Sequence, residues 1–259
     1  MKYDISGTVM QTLSIALDPG EVIVSQTHAM AWMTDAIDMD THTGGGLFSG
    51  LKRAMGGGSF FITEYSANAR GEVAFAPRFP GQIIPMQLAS GQSIICRKET
   101  FLCAERSVSL EIAFQQRLGA GFFAGEGFIL QRVTGPGTVW LDLSGEVIEK
   151  TLGPGERLRV HAGHIGMQEP SVSTDIQMVR GFRNMLFGGE GLFLATLTGP
   201  GRIWLQSMPV LNLAEEIARH LPSREAVDVG VGAGVGRLVG GGAAGAVVGG
   251  ILGGLLGNE

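Results

Sequence analysis

With 259 residues, 44% apolar and 17% charged, the chain can bury one or two sizeable cores, which excludes a largely disordered polypeptide. Its net charge of −5, without any long basic stripe, speaks against a nucleic-acid partner, because phosphate binding needs clustered Lys and Arg. Gly is in excess at 42 residues, the mark of many tight turns, a low-complexity segment, or both.

The opening Met1-Lys2-Tyr3-Asp4 lacks the apolar run of a secretory signal, so reducing cytoplasm is the expected compartment. Leu17-Asp18-Pro19-Gly20-Glu21 sets an apolar anchor before a tight turn, and Val22-Ile23-Val24 then reads as a strand. Residues 42–59, HTGGGLFSGLKRAMGGGS, break the β pattern. Leu47, Phe48, Leu51 and Met55 share one helical face there, either capping the sandwich as a mobile loop or meeting a partner or membrane surface.

Residues 60–75 read as a degenerate hairpin, with Asn68 to Gly71 at its turn. The turn motif returns as Leu88-Ala89-Ser90-Gly91-Gln92 and Leu152-Gly153-Pro154-Gly155-Glu156, at offsets of 71 and 64. Strand-like Ile94-Ile95-Cys96 and Leu158-Arg159-Val160 follow. Arg97-Lys98 reads as a solvated pair, and Cys96 and Cys103 as free core thiols, since two cysteines make no disulfide framework. Residues 125–141 (GEGFILQRVTGPGTVWL) and 189–205 (GEGLFLATLTGPGRIWL) agree at ten of seventeen positions, the sign of a duplication. Each block reads as a hairpin around Thr-Gly-Pro-Gly, with Trp140 and Trp204 as core or interface anchors. A repeat occurring three times, with turns every 8–12 residues, predicts an all-β protein of three similar β-sandwich units. Packing about a pseudo-threefold axis would cover their edges.

Residues 212–221 predict a closing helix, capped by Asn212 and stopped by Pro222, so the β domain is expected over 1–222. A glycine-zipper-like tail, 223–259, follows. In its uncharged run Leu238 to Gly257, glycines 241, 245, 249, 253 and 257 (Gly241, Gly245, Gly249, Gly253, Gly257) would form one flat helix face. Such a helix is about 30 Å long, enough to enter a bilayer or zip subunits together; the same composition also fits a flexible tail.

No catalytic, metal or cofactor residues are assigned. His161 and His164 form H-x-x-H without a third ligand and read as surface or turn histidines. Glu126 and Glu190 recur as turn residues, not as an acid–base pair. The Gly triplets at 44–46 and 56–58 lack the Gly-Lys-Ser/Thr of a phosphate loop, and no Gly-x-Ser-x-Gly elbow is present.

GGGLFSGLKRAMGGGSFF, the 125–141 block and TGPGRIWLQS together resemble the AIM24 family, over roughly residues 1–221. The resemblance implies a TRAP-like double-stranded β-helix of three units about a pseudo-threefold axis, and it supplies no catalytic residues. The expected function is a non-enzymatic scaffold, homo-oligomeric and cytoplasmic, whose tail contacts membrane or joins subunits. The alternatives are a small-molecule binding module using grooves between units and, third, a cupin-like metal enzyme around His161 and His164.

Overall fold

The computed structural model describes residues 1–26, 29–43, 61–116, 128–178 and 193–220. The candidate partner loop (Leu47, Phe48, Leu51, Met55), Glu126, Glu190 and the glycine tail lie outside these residues.

The described chain is nearly all antiparallel β. After β1 (Lys2–Ser6) come β2 (Thr12–Leu17), β3 (Val22–Gln26), β4 (Met30–Met33), β5 (Ile37–Thr43), β6 (Phe61–Ala67) and β7 (Gly71–Phe75). The same succession follows as β8 (Gly81–Leu88), β9 (Ser93–Arg97), β10 (Phe101–Glu105), β11 (Ser109–Gln116), β12 (Phe128–Thr134) and β13 (Gly137–Ser144). It occurs a third time as β14 (Val147–Leu152), β15 (Arg157–His161), β16 (Ile165–Gln168), β17 (Ser173–Met178), β18 (Phe193–Thr198) and β19 (Gly201–Gln206). A helix, α1 (Val210–His220), follows.

Four sheets result, ordered β1-β2-β7-β4, β5-β6-β3-β10-β13-β8, β11-β12-β9-β16-β19-β14 and β15-β18-β17. Numbering each set of six from β2, β8 or β14, the fourth, fifth and second strands pair as one group and the first, sixth and third as another: β5-β6-β3 beside β2-β7-β4, and their counterparts. The first set joins the second through β3 with β10, and the second joins the third through β9 with β16. Each set also repeats one β-bulge, skipping Ala31, Leu102 and Gly166 in the pairings of β4 with β7, β10 with β13 and β16 with β19.

Alternation of apolar side chains along the strands gives the sheets two buried faces. Three hydrophobic clusters fill the spaces between them. Leu13, Ile15, Val73 and Phe75 anchor one, Ile94, Leu110, Val133 and Val139 the next, and Leu152, Ile176, Leu197 and Ile203 the third. Trp140, from the second set of strands, is fully buried in the first cluster, and Trp204, from the third set, lies in the second. The expectation that both tryptophans are core or interface anchors holds in both senses.

The Thr-Gly-Pro-Gly blocks are not hairpins. Strand β12 belongs to the third sheet and β13 to the second, while β18 and β19 are likewise in different sheets. The turn carries the chain over the sandwich edge. The Gly135 and Gly199 N–H groups donate to Gln92 and Glu156 carbonyls of the preceding turn motif, at 3.0 and 2.9 Å, instead of closing a two-stranded ladder. A side chain at Gly135 would strike the carbonyl oxygens of Leu88 and Ala89. Residues 60–75 behave similarly, since β6 and β7 lie in different sheets.

Helix α1 starts two residues before the predicted position. The Leu213 N–H donates to the Pro209 carbonyl at 3.3 Å, so Pro209 leads into the first turn and Asn212 lies within it, exposed. Of its described side chains, Val210 and Leu213 are half-buried and Ile217 is exposed, and Pro209 before it is buried.

Candidate functional site at the strand joints

A buried arginine and two half-buried histidines gather where β9 meets β16. Arg97 ends β9, in text rich in β-branched and apolar residues that demands burial of both neighbours. The sequence places it on the solvated surface; it is instead buried, 6% exposed. Tertiary pairing overrides the local signal, because the strand is covered by β12 on one side and β16 on the other.

Burial of a guanidinium requires partners for its charge and donors. Arg97 donates from Nη1 to the Gly163 carbonyl at 3.0 Å and from Nε to Glu99 Oε2 at 3.1 Å. Its Nη2 also lies 3.1 Å from that carboxylate, and its cationic plane sits 5.5 Å from the Phe128 ring centre. The Gly163 carbonyl accepts a second bond from Gln206 Nε2 at 2.9 Å. Gly163 lies in the short 3-10 turn Ala162–His164, between β15 and β16. Gln26, at the end of β3, makes the corresponding reach: its Nε2 donates to the Lys98 carbonyl, 2.6 Å away, in the turn Lys98–Thr100.

The turn also settles the geometry of His161 and His164. Their ring centres are 5.8 Å apart in an edge-to-face arrangement, and both are partly buried. His164 Nδ1 is 2.8 Å from the Gln206 carbonyl. Burial, then the neighbouring His164 and Arg97 charges, hold His161 below the ordinary imidazole range. His161 ends β15 and His164 closes the 3-10 turn, which gives a contact between the rings that strand geometry alone would not. Among the described residues no group of three His, Cys, Asp or Glu side chains could hold a metal ion.

Three further titratable groups are held in unusual ranges by burial. Asp142 keeps some solvent contact as a residue, yet burial of its carboxyl, with Glu99 nearby, pushes it up to about 7 against the lowering influence of Arg78. Cys96 and Cys103 are free, buried thiols, as expected. Burial pushes Cys96 up to about 12 and Cys103 well above its ordinary value, so neither supplies a thiolate nucleophile near neutrality. Arg97 and Gln26 thus each direct one side-chain donor at a backbone carbonyl of the next set of strands. The arrangement can hold a joint and bind a proton at Asp142.

A second polar device recurs along the chain. Glu21, Gln92 and Glu156 accept from the backbone N–H groups of Asp18, Ala89 and Gly153 at 2.9, 3.0 and 2.8 Å. By sequence alone these residues are turn positions; the signal for their bonds is the shared spacing after the apolar anchor.

Comparison with known proteins places this architecture. A family model described as mitochondrial biogenesis AIM24 matches residues 3–208. An uncharacterized protein of Streptococcus pyogenes serotype M6 is 28% identical over 233 residues, covering 86% of this chain and 92% of that protein. The crystal structure of a Streptococcus pyogenes protein superposes with a TM-score of 0.70 at 24% identity, covering 85% of this chain and 99% of that one; this shows a shared fold. The family match spans most of the chain, and the chain belongs to the AIM24 family.

Proposed function

We propose that the chain is a non-enzymatic assembly module that self-associates through its β body, with the glycine-rich tail as a membrane or subunit contact. The observation that carries this reading is the use made of Arg97. Its guanidinium, the best-buried charge of the described residues, is taken up by the Gly163 carbonyl and Glu99, at a joint between sets of strands. The groups with chemical potential are spent on holding the body together.

Self-association is supported by large apolar side chains left exposed near the start of the chain: Val9 at 55%, Met10 at 70% and Met39 at 50%. Among the described residues no helix is long and apolar enough to cross a membrane. The run Leu238 to Gly257, which lies outside them, has the length and glycine spacing for close helix contact or bilayer entry.

Sedimentation and membrane fractionation of the full chain and of a version ending at Pro222 test the reading. The full chain should travel with membranes or in assemblies larger than the shortened one. Identical, monomeric behaviour of the two in both measurements would remove it.

A further inference from the structure

Strand β1 stands outside the three sets of six and ends the first sheet, where it pairs with β2 from Lys2 opposite Ala16 to Ser6 opposite Thr12. Tyr3 and Ile5, two residues apart, share one face of it. The Tyr3 ring packs edge-to-face on Trp140, and Ile5 packs against the first hydrophobic cluster. The contacts that hold β1 thus lie beyond the connection 7–11.

That connection is itself fastened. The Gly81 N–H donates to the Val9 carbonyl and the Ile83 N–H to Gln11 Oε1, both at 2.6 Å, so residues 9–11 are tied to β8. The reversal that folds β1 back onto β2 falls to Gly7 and Thr8. Gly7 has a φ of +95°, and a Cβ there would stand 2.7 Å from the Met10 carbonyl oxygen. Beside this tight reversal Val9 and Met10 are exposed, Met10 to 70%.

We infer that β1 is an exchangeable strand, and that two copies of the chain associate by each laying its β1 on the β2 of the other. The inference rests on the reading that the body self-associates, and it names the surface.

The five strand pairs, the packing of Tyr3 on Trp140 and the place of Ile5 in the cluster all re-form between copies with unchanged geometry. Exchange therefore costs association entropy but loses no contact of β1. The gain lies at the hinge. Residues 9–11 stay on their own β8 while Gly7 and Thr8 straighten, and two extended residues reach only about 7 Å. The two hinges must then pass close together, and the exposed Val9 and Met10 of each copy meet across a twofold axis. Burying them favours the dimer.

The same contacts select the occupant. A strand from another protein would need an aromatic ring to meet Trp140 and, two residues on, an apolar side chain for the cluster. A second copy brings both in register. Mutual exchange also leaves each β2 paired, so it closes at two copies.

Crosslinking tests the inference. Asp4 and Ser14 stand directly opposite each other in β1 and β2, one exposed and the other half-buried, within the usual reach of a disulfide. The full chain carrying Asp4→Cys with Ser14→Cys is refolded as a mixture of isotope-labelled and unlabelled copies. It is then oxidised mildly at a concentration where sedimentation shows the associated form. The denatured product should run as a covalent dimer, with bridged peptides that join labelled to unlabelled chain. An associated form whose bridges all stay within one chain overturns the inference and leaves self-association to another surface. A chain that sediments as a monomer at every concentration removes both. Gly7→Val tests the hinge without a disulfide, should the double variant fail to fold. The left-handed turn excludes a β-branched residue, whereas an extended hinge accepts it. The dissociation constant of the dimer should fall several-fold in this variant, and an unchanged or weaker dimer overturns the inference.

Discussion

The guanidinium of Arg97 and the carbonyl of Gly163, 66 residues apart in sequence, are joined by a buried 3.0 Å hydrogen bond across the β9–β16 joint. Gly163 has Gln206 as a second donor, so its carbonyl stays satisfied if Arg97 is shortened. Glu99 is 47% exposed and would then be hydrated. Arg97→Ala should therefore destabilise by about 2–3 kcal/mol, below the cost of stranding a fully buried partner. Arg97→Lys should recover only part, because an ammonium cannot span carbonyl and carboxylate in one plane. Urea unfolding measures both, and a loss under about 0.5 kcal/mol for Arg97→Ala would show the joint to be held otherwise.

Trp140 and Trp204 lock one cluster to the next, and each should cost about 3–5 kcal/mol on truncation to Ala. Their local effects should differ. Trp140 packs edge-to-face on Tyr3, with ring centres 5.3 Å apart, whereas the Trp204 indole N–H donates to Glu149 at 3.0 Å. Trp140→Ala should therefore raise hydrogen exchange in β1 and β2, and Trp204→Ala in β14. Uniform loss of protection across all sheets in both variants would mean that the clusters do not open separately.

Much of this body is legible in the sequence, for a physical reason. Leu17, Leu88 and Leu152, each followed by a glycine turn, mark the same corner three times, with positive φ at Gly20, Gly91 and Gly155. Local chemistry dictates such a corner wherever it occurs. A hairpin and a crossing between sheets, however, both read as strand, turn, strand. Which one Thr134 to Gly137 makes depends on the Gly135 N–H finding Gln92, a contact 43 residues away. Arg97 was illegible for the same reason: nothing local distinguishes a charge that ends a covered strand from one on a free surface. The contact between His161 and His164 likewise depends on a 3-10 turn between two strands.

The thiols give a probe of opening. With Cys96 pushed up to about 12 and Cys103 well above its ordinary value by burial, the thiolate is scarce in the folded chain at pH 8. Alkylation in native buffer should run at least about a thousandfold slower than in denaturant, from thiolate scarcity and occlusion together. Arg97→Ala should speed labelling of Cys96, which pairs with Met167 across the same joint, more than that of Cys103. Mass spectrometry of the labelled peptides separates the two, and rapid native labelling of both would contradict their burial.

Asp142 should set the alkaline side of the stability profile. Its carboxyl is held at about 7 in the folded chain, mainly by burial, against an ordinary value of 3.8. Between those values the folded state keeps a proton that the unfolded state has lost. Its contribution is therefore full below about pH 4, declines as pH rises towards 7, and is gone above. The decline amounts to no more than about 4 kcal/mol. His161 works in the opposite sense: held below the ordinary imidazole range, it favours the folded state above about pH 6.5 and loses that contribution on acidification. The third set of strands has Gln206, a neutral amide, at the place of Asp142, and its Oε1 accepts the Ser144 N–H at 3.1 Å. Asp142→Asn should thus be accommodated and more stable than the parent at pH 8, with the gain shrinking towards pH 4. The fall on the acid side should persist, because His161 is untouched. Chemical unfolding at pH 4, 6 and 8 reads these slopes directly, and an equal effect of the substitution at all three would show that the Asp142 carboxyl is ionised in the folded chain throughout.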